Sequence, residues 1–78
     1  MMDTVDRYLI LTRDKNNQII SSNEIYCGVE SAKILMGMLI YQTGVRTGQL
    51  FKREKDRNGN TIGFITLVDE AEIYHYGE

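Results

Sequence analysis

The dipeptide Asn58-Gly59, set between a charged run and a run rich in apolar and β-branched residues, constrains this chain more than any other feature. Asn and Gly tolerate the positive backbone angles of a tight hairpin, so the pair is the strongest short-range hairpin signal. The flanking runs, Gly48 to Arg57 and Asn60 to Val68, read as its two strands. The loop is either a two-residue type I′ turn or a three-residue loop with a G1 bulge. The two differ by one residue in register, and both stay open at this level. The returning strand is apolar on both faces, with Ile62, Phe64 and Val68 on one and Ile65 and Leu67 on the other. That pattern predicts an interior strand.

A second hairpin lies upstream. Val5 to Arg13 is rich in Tyr, Leu and Ile and ends at Asp14-Lys15-Asn16-Asn17-Gln18, where Asp and Asn can bond their own backbone and turn the chain. Ile19 to Cys27 is the return strand, with Ser21, Ser22 and Asn23 marking a bulge or break.

Between the hairpins, Val29 to Thr43 reads as the main helix. Ala32, Leu35, Met36, Leu39 and Ile40 recur at three- and four-residue spacing, and Gly44 sits where a helix stops. Ile34, Met38 and Tyr41 lie off that stripe, so the helix is apolar around most of its circumference. A small protein cannot hide both sides of such a helix in its own core. Ile34, Gly37, Met38 and Tyr41 are therefore the expected oligomer interface, with Gly37 letting another backbone approach. At the C-terminal end, Asp69 and Glu72 resemble a capping box, with Val68 and Ile73 at the staple positions and Gly77 as a stop. These predict a short helix from Glu70 to Tyr76. The expected architecture is a single α+β domain over residues 1–78. Its two layers are an antiparallel sheet from two β-hairpins with one main helix across it, in the order β-β-α-β-β plus the short C-terminal helix.

Composition narrows the function classes. A chain of 78 residues has a marginal core, and Cys27 and His75 are its single cysteine and histidine. An intramolecular disulfide is impossible, no Cys/His zinc cluster can be assembled, and no metal or cofactor is expected. Packing and oligomerisation are left to stabilise the fold. The apolar stretch Ile34 to Tyr41 is too short for a membrane span. The N-terminal residues lack a basic segment followed by an apolar one, so a cytoplasmic location is expected.

Catalytic constellations are missing. Cys27 and His75 form no motif, and a lone strand cysteine is usually a small buried hydrophobe. The glycines match neither a P-loop nor a dinucleotide fingerprint. The chain is expected not to be an enzyme. Two charged segments remain. On a strand, alternation groups Arg53, Lys55 and Arg57, with Arg46 nearby, as a basic face able to grip phosphates or an acidic protein. The competing reading is a solvated hairpin tip whose charges guard an edge. The segment Asp69, Glu70, Glu72, Tyr74 and Tyr76 combines acid and tyrosine in a way that suits an arginine-rich partner. If it is extended, Glu70, Glu72, Tyr74, Tyr76 and Glu78 share one face; if helical, its Tyr and Ile pack on the sheet.

The expected function is a small non-enzymatic protein-binding module that blocks a partner's surface, working as a homodimer. By analogy of size and motif-poverty alone it suits an accessory or inhibitor protein of a phage or mobile element. The alternative is a small nucleic-acid-binding regulator using the basic hairpin, and a third is an enzyme subunit completed at an oligomer interface.

Overall fold

The computed structural model describes residues 4–74. Strands β1 (Val5–Arg13) and β2 (Ile19–Gly28) form the first hairpin. Helix α1 (Val29–Leu39) follows without a loop, and strands β3 (Thr47–Lys55) and β4 (Thr61–Glu72) form the second hairpin. All four strands join one antiparallel sheet in the order β2-β1-β3-β4. The expected β-β-α-β-β architecture, an antiparallel sheet with one helix across it, is the one observed.

Both hairpins close on the same local chemistry. The Asp14 N–H donates to the Gln18 carbonyl at 2.9 Å and the Asn17 N–H to the Asp14 carbonyl at 3.0 Å. The Asp14 carboxylate Oδ1 accepts from the N–H groups of Asn16 and Gln18. The second turn repeats this with Asp56 and Asn60: Asp56 N–H to Asn60 carbonyl at 2.9 Å, Gly59 N–H to Asp56 carbonyl at 3.1 Å, and Oδ1 accepting from Asn58 and Asn60. Asn17 (φ 64°) and Gly59 (φ 83°) occupy the left-handed position of each loop. The second loop is therefore the three-residue form with a G1 bulge, which settles the alternative left by the sequence.

The core lies on one side of the sheet. Alternation along β1 sends Tyr8, Ile10 and Thr12 to the helix side, where they are buried. Across the ladder, Ile10 pairs with Leu50 and Thr12 with Gly48. Ala32, Met36 and Ile40 descend from α1, and Val45 from the connection, to complete the cluster. Thr12 is fully buried, and its hydroxyl is satisfied by the Ser21 hydroxyl on β2. Gly48 marks the closest approach of helix and sheet. A Cβ there would stand 2.5 Å from Ile40 Cγ2 and 3.2 Å from Met36 Cγ. A strand glycine at such a place admits a neighbouring element.

Several expectations require correction. The helix does not run to Thr43 but ends at Leu39. There the Tyr41 and Gln42 N–H groups bond three residues back, to Met38 and Leu39, and Gly44 turns out at φ 88°. The short helix from Glu70 to Tyr76 is not formed: Glu70 to Glu72 continue β4, and Ile73 and Tyr74 lie outside any helix. A seven-residue helix would be marginal alone, whereas β3 supplies this segment with backbone partners. Thr47 pairs with Glu72, and the Ile73 N–H donates to the Arg46 carbonyl at 2.9 Å. The Asp69 carboxylate bonds the next residue's N–H rather than that of Glu72. Residues 75–78, including His75, Tyr76, Gly77 and Glu78, lie outside the described residues. The bulge expected at Ser21–Asn23 falls at Ile20, because Thr12 pairs with Ser21 and Arg13 with Ile19. Finally, β4 is an edge strand and not an interior one. Register shifts after Leu50, Lys52 and Glu54 leave Val68, Ile65 and Ile62 as extra residues on it. Three bulges on one edge strand bend it away from flat pairing with another strand.

Gly48 and Gly37 should respond oppositely to alanine. Gly48→Ala crowds the helix–sheet contact and should cost about 1–3 kcal/mol. Gly37→Ala, with nothing within 4 Å of its Cβ position, should gain up to about 1 kcal/mol through helix propensity. Urea denaturation of both variants checks the pair, and equal effects would contradict the packing described.

Candidate interaction surfaces

The helix exposes what its circumference promised. Ile34, Met38 and Tyr41 are 66%, 65% and 71% exposed, and they line the outer side of α1 and its C-terminal turn. Gly37 sits among them with open space above it. The four residues form one surface, flanked by the Glu30–Lys33 ion pair at 3.9 Å.

The acidic segment is divided by its extended conformation. Asp69 pairs with Leu50, whose side chain is buried on the helix side, whereas Glu70 and Glu72 pair with Gln49 and Thr47 on the opposite face. Tyr74 stays with Glu72: its hydroxyl hydrogen-bonds that carboxylate, which holds the phenol above its ordinary range. The Arg46 guanidinium lies over the Tyr74 ring, 4.6 Å from its centroid. Glu70 accepts from the Gln49 amide at 3.3 Å, and Gln49 accepts from Arg13 Nε at 3.2 Å. Glu70, Glu72 and Tyr74 thus share a face, while Asp69 is separated from them and Tyr76 is outside the described residues. A cation already accompanies this acidic strip.

The basic residues are not brought together. Arg46 precedes β3 and stacks on Tyr74 at one end of the molecule. Seven strand positions separate it from Arg53, about 23 Å at the rise of an extended chain. Arg53 is only 19% exposed and pairs with Asp6 at 3.4 Å. Lys55 ends β3 in solvent, and Arg57 lies in the turn. Of the expected basic face, Lys55 and Arg57 remain exposed side by side at the hairpin tip, and Arg46 is remote from it.

Two features escaped the sequence reading. The first is the Asp6 cluster. Its carboxylate accepts from the Arg7 N–H at 2.7 Å and lies 3.4 Å from Arg53 and 3.9 Å from Lys52. The Arg7 N–H foremost, then the two cations, hold its pKa below the ordinary value against the opposing effect of burial. The second is the open face of the sheet. Leu9 pairs with Phe51 and Phe51 with Leu67, so a row of apolar side chains crosses three strands on the face away from the helix. Leu11 lies beside it, and Arg7 lies on its other side, 5.6 Å from the Tyr26 ring and 3.8 Å from Glu24. The signal was present in β1, where Leu9 and Leu11 alternate with Tyr8 and Ile10 and so make both faces apolar.

Cys27 packs against the core, and burial pushes its thiol up, opposite to the shift that activates a nucleophile. Among the described residues no group of three His, Cys, Asp or Glu is placed to hold a metal, no cavity opens, and no helix is long and apolar enough to cross a membrane.

Asp6 carries a pH-dependent share of stability. A carboxyl depressed in the folded state stabilises above its unfolded pKa, about 3.9, and that contribution is lost as pH falls through the folded value. Asp6→Asn should therefore lower the urea midpoint at pH 7, and the gap between parent and variant should close as pH falls through the depressed folded-state value. A gap that persists in acid would mean the carboxylate charge is not what stabilises the strand ends. No family model, curated protein or solved structure matches this chain, so its function has to be read from these surfaces alone.

Proposed function

We propose that the protein is a non-enzymatic binding module that covers a surface on another protein, and that the outer stripe of α1 is its contact. The observation that carries this reading is the exposure of Ile34, Met38 and Tyr41 on a single helix face around Gly37. The core draws on Ala32, Met36 and Ile40 of the same helical segment and makes no use of that stripe. Methionine and tyrosine suit a contact of this kind, since Met adapts to irregular surfaces and Tyr offers amphipathic area at low entropic cost. Such a protein acts by occlusion, the mode expected of an inhibitor. A nucleic-acid reading loses support from the placement of its cations: Arg53 is committed to Asp6 and Arg46 to Tyr74.

Met38→Lys tests the contact. The side chain is exposed, so the substitution should shift stability by no more than about 0.5 kcal/mol. A protein recovered from the producing cell by the immobilised parent should be lost with the variant and retained with Lys55→Ala. Binding that is indifferent to Met38 and that falls steeply with salt in a nucleic-acid titration would replace this reading with the alternative.

A further inference from the structure

We propose that a second copy of this chain covers the open face of the sheet, related by a two-fold axis that lies along the row Leu9–Phe51–Leu67. This surface is separate from the helix stripe and does not depend on its role.

Three observations fix the occupant. The first is area. Four strands spaced about 4.8 Å apart and about nine residues long present a face of roughly 600 Å², near 1,200 Å² for two copies, the low end of stable interfaces. The helix stripe, three side chains wide, offers much less. The second is geometry. The bulges at Ile62, Ile65 and Val68 spoil β4, one of the two sheet edges, for edge-to-edge extension, and β2, the other edge, carries a bulge at Ile20, whereas a sheet face packs readily on another sheet face.

The third is charge. By register, Glu70, Glu72 and Arg13 lie on the open face at one end of the row, and Arg7, Arg53 and Lys55 on the same face at the other. Glu24, paired with Arg7, stands in the row itself beside Leu9, which leaves one end net acidic by one charge and the other basic. A two-fold axis along the strands would stack basic end on basic end. An axis along the Leu9–Phe51–Leu67 row reverses one copy and lays the acidic end of each on the basic end of the other. Counting from Phe51, Thr47 and Lys55 lie four positions to either side, and Thr47 pairs with Glu72. Lys55 of one copy therefore falls over Thr47 of the second, one strand spacing of about 4.8 Å from Glu72 and within reach of two long side chains, and the contact occurs twice. An isologous interface of this kind is self-complementary by construction.

Light scattering coupled to size-exclusion chromatography on the full chain tests the arrangement. The parent should be a dimer at tens of micromolar, and Leu67→Lys, at an exposed position, should be monomeric with an unchanged circular dichroism spectrum. Lys55→Glu and Glu72→Lys should each weaken the dimer about five- to twenty-fold, because each pair is present twice, and the double exchange should restore it. Met38→Lys should leave the dimer intact, which separates this inference from the helix contact. A monomeric parent, a dimer broken by Met38→Lys but not by Leu67→Lys, or charge variants that fail to rescue one another would each overturn it. If Leu67→Lys does not fold, the charge exchange decides alone.

Discussion

The contact between helix α1 and Gly48 organises the molecule. Met36 and Ile40 sit where a side chain on β3 would otherwise project, and this lets the helix approach the middle of the sheet. Everything buried follows from that approach: Ile10 and Leu50 below, Ala32 and Met36 above, Val45 closing the end. A chain of this size has one such core to spend its apolar residues on. Because a single helix covers a single face, the other face of the sheet and the outer side of the helix are left to water or to partners.

The local code was legible where it is written in short-range chemistry. Both hairpins were placed from Asp, Asn and Gly in the turns, and the two loops use one hydrogen-bond pattern, Asp14 with Gln18 and Asp56 with Asn60. The helix core was legible from its spacing. What failed depended on long-range pairing. Asp69 and Glu72 carry a helix-start signature, yet the N–H and carbonyl groups of β3 compete for the same segment and win, since a ladder partner is worth more there than a short isolated helix. The helix end was misjudged for a related reason: Tyr41 is apolar enough to continue the periodicity, but the chain must turn before Val45 to enter the core.

The two-sided apolar pattern of β4 gives the clearest lesson about the site. Residues apolar on both faces normally mark an interior strand, and here they mark a bulged edge. Each bulge shifts the alternation by one residue, so a strict period of two cannot assign Ile62, Ile65 and Leu67 to faces. The strand that does carry two buried-type faces at the centre of the sheet is β1, where Tyr8 and Ile10 point to the helix and Leu9 and Leu11 away from it. The charged residues were mis-grouped for a similar reason. Arg46 and Arg53 look adjacent in a short sequence, yet extended backbone carries them to opposite ends, and Asp6, distant in sequence, is the residue that meets Arg53.

Two exposed apolar surfaces on opposite sides of a thin molecule differ in what they can recognise. The sheet face is broad, with Arg7, Arg53 and Lys55 toward one end of its strands and Glu70, Glu72 and Arg13 toward the other. The helix stripe is narrow, with Ile34, Met38 and Tyr41 on one line and only the Glu30–Lys33 pair beside it. It has no charge gradient to set against a copy of itself. A narrow ridge of flexible and aromatic side chains suits a groove on a different protein, where shape rather than charge does the selecting. If the sheets pair, the dimer presents two such ridges facing away from one another. Each could then engage a separate partner molecule, with no competition between assembly and binding for the same surface.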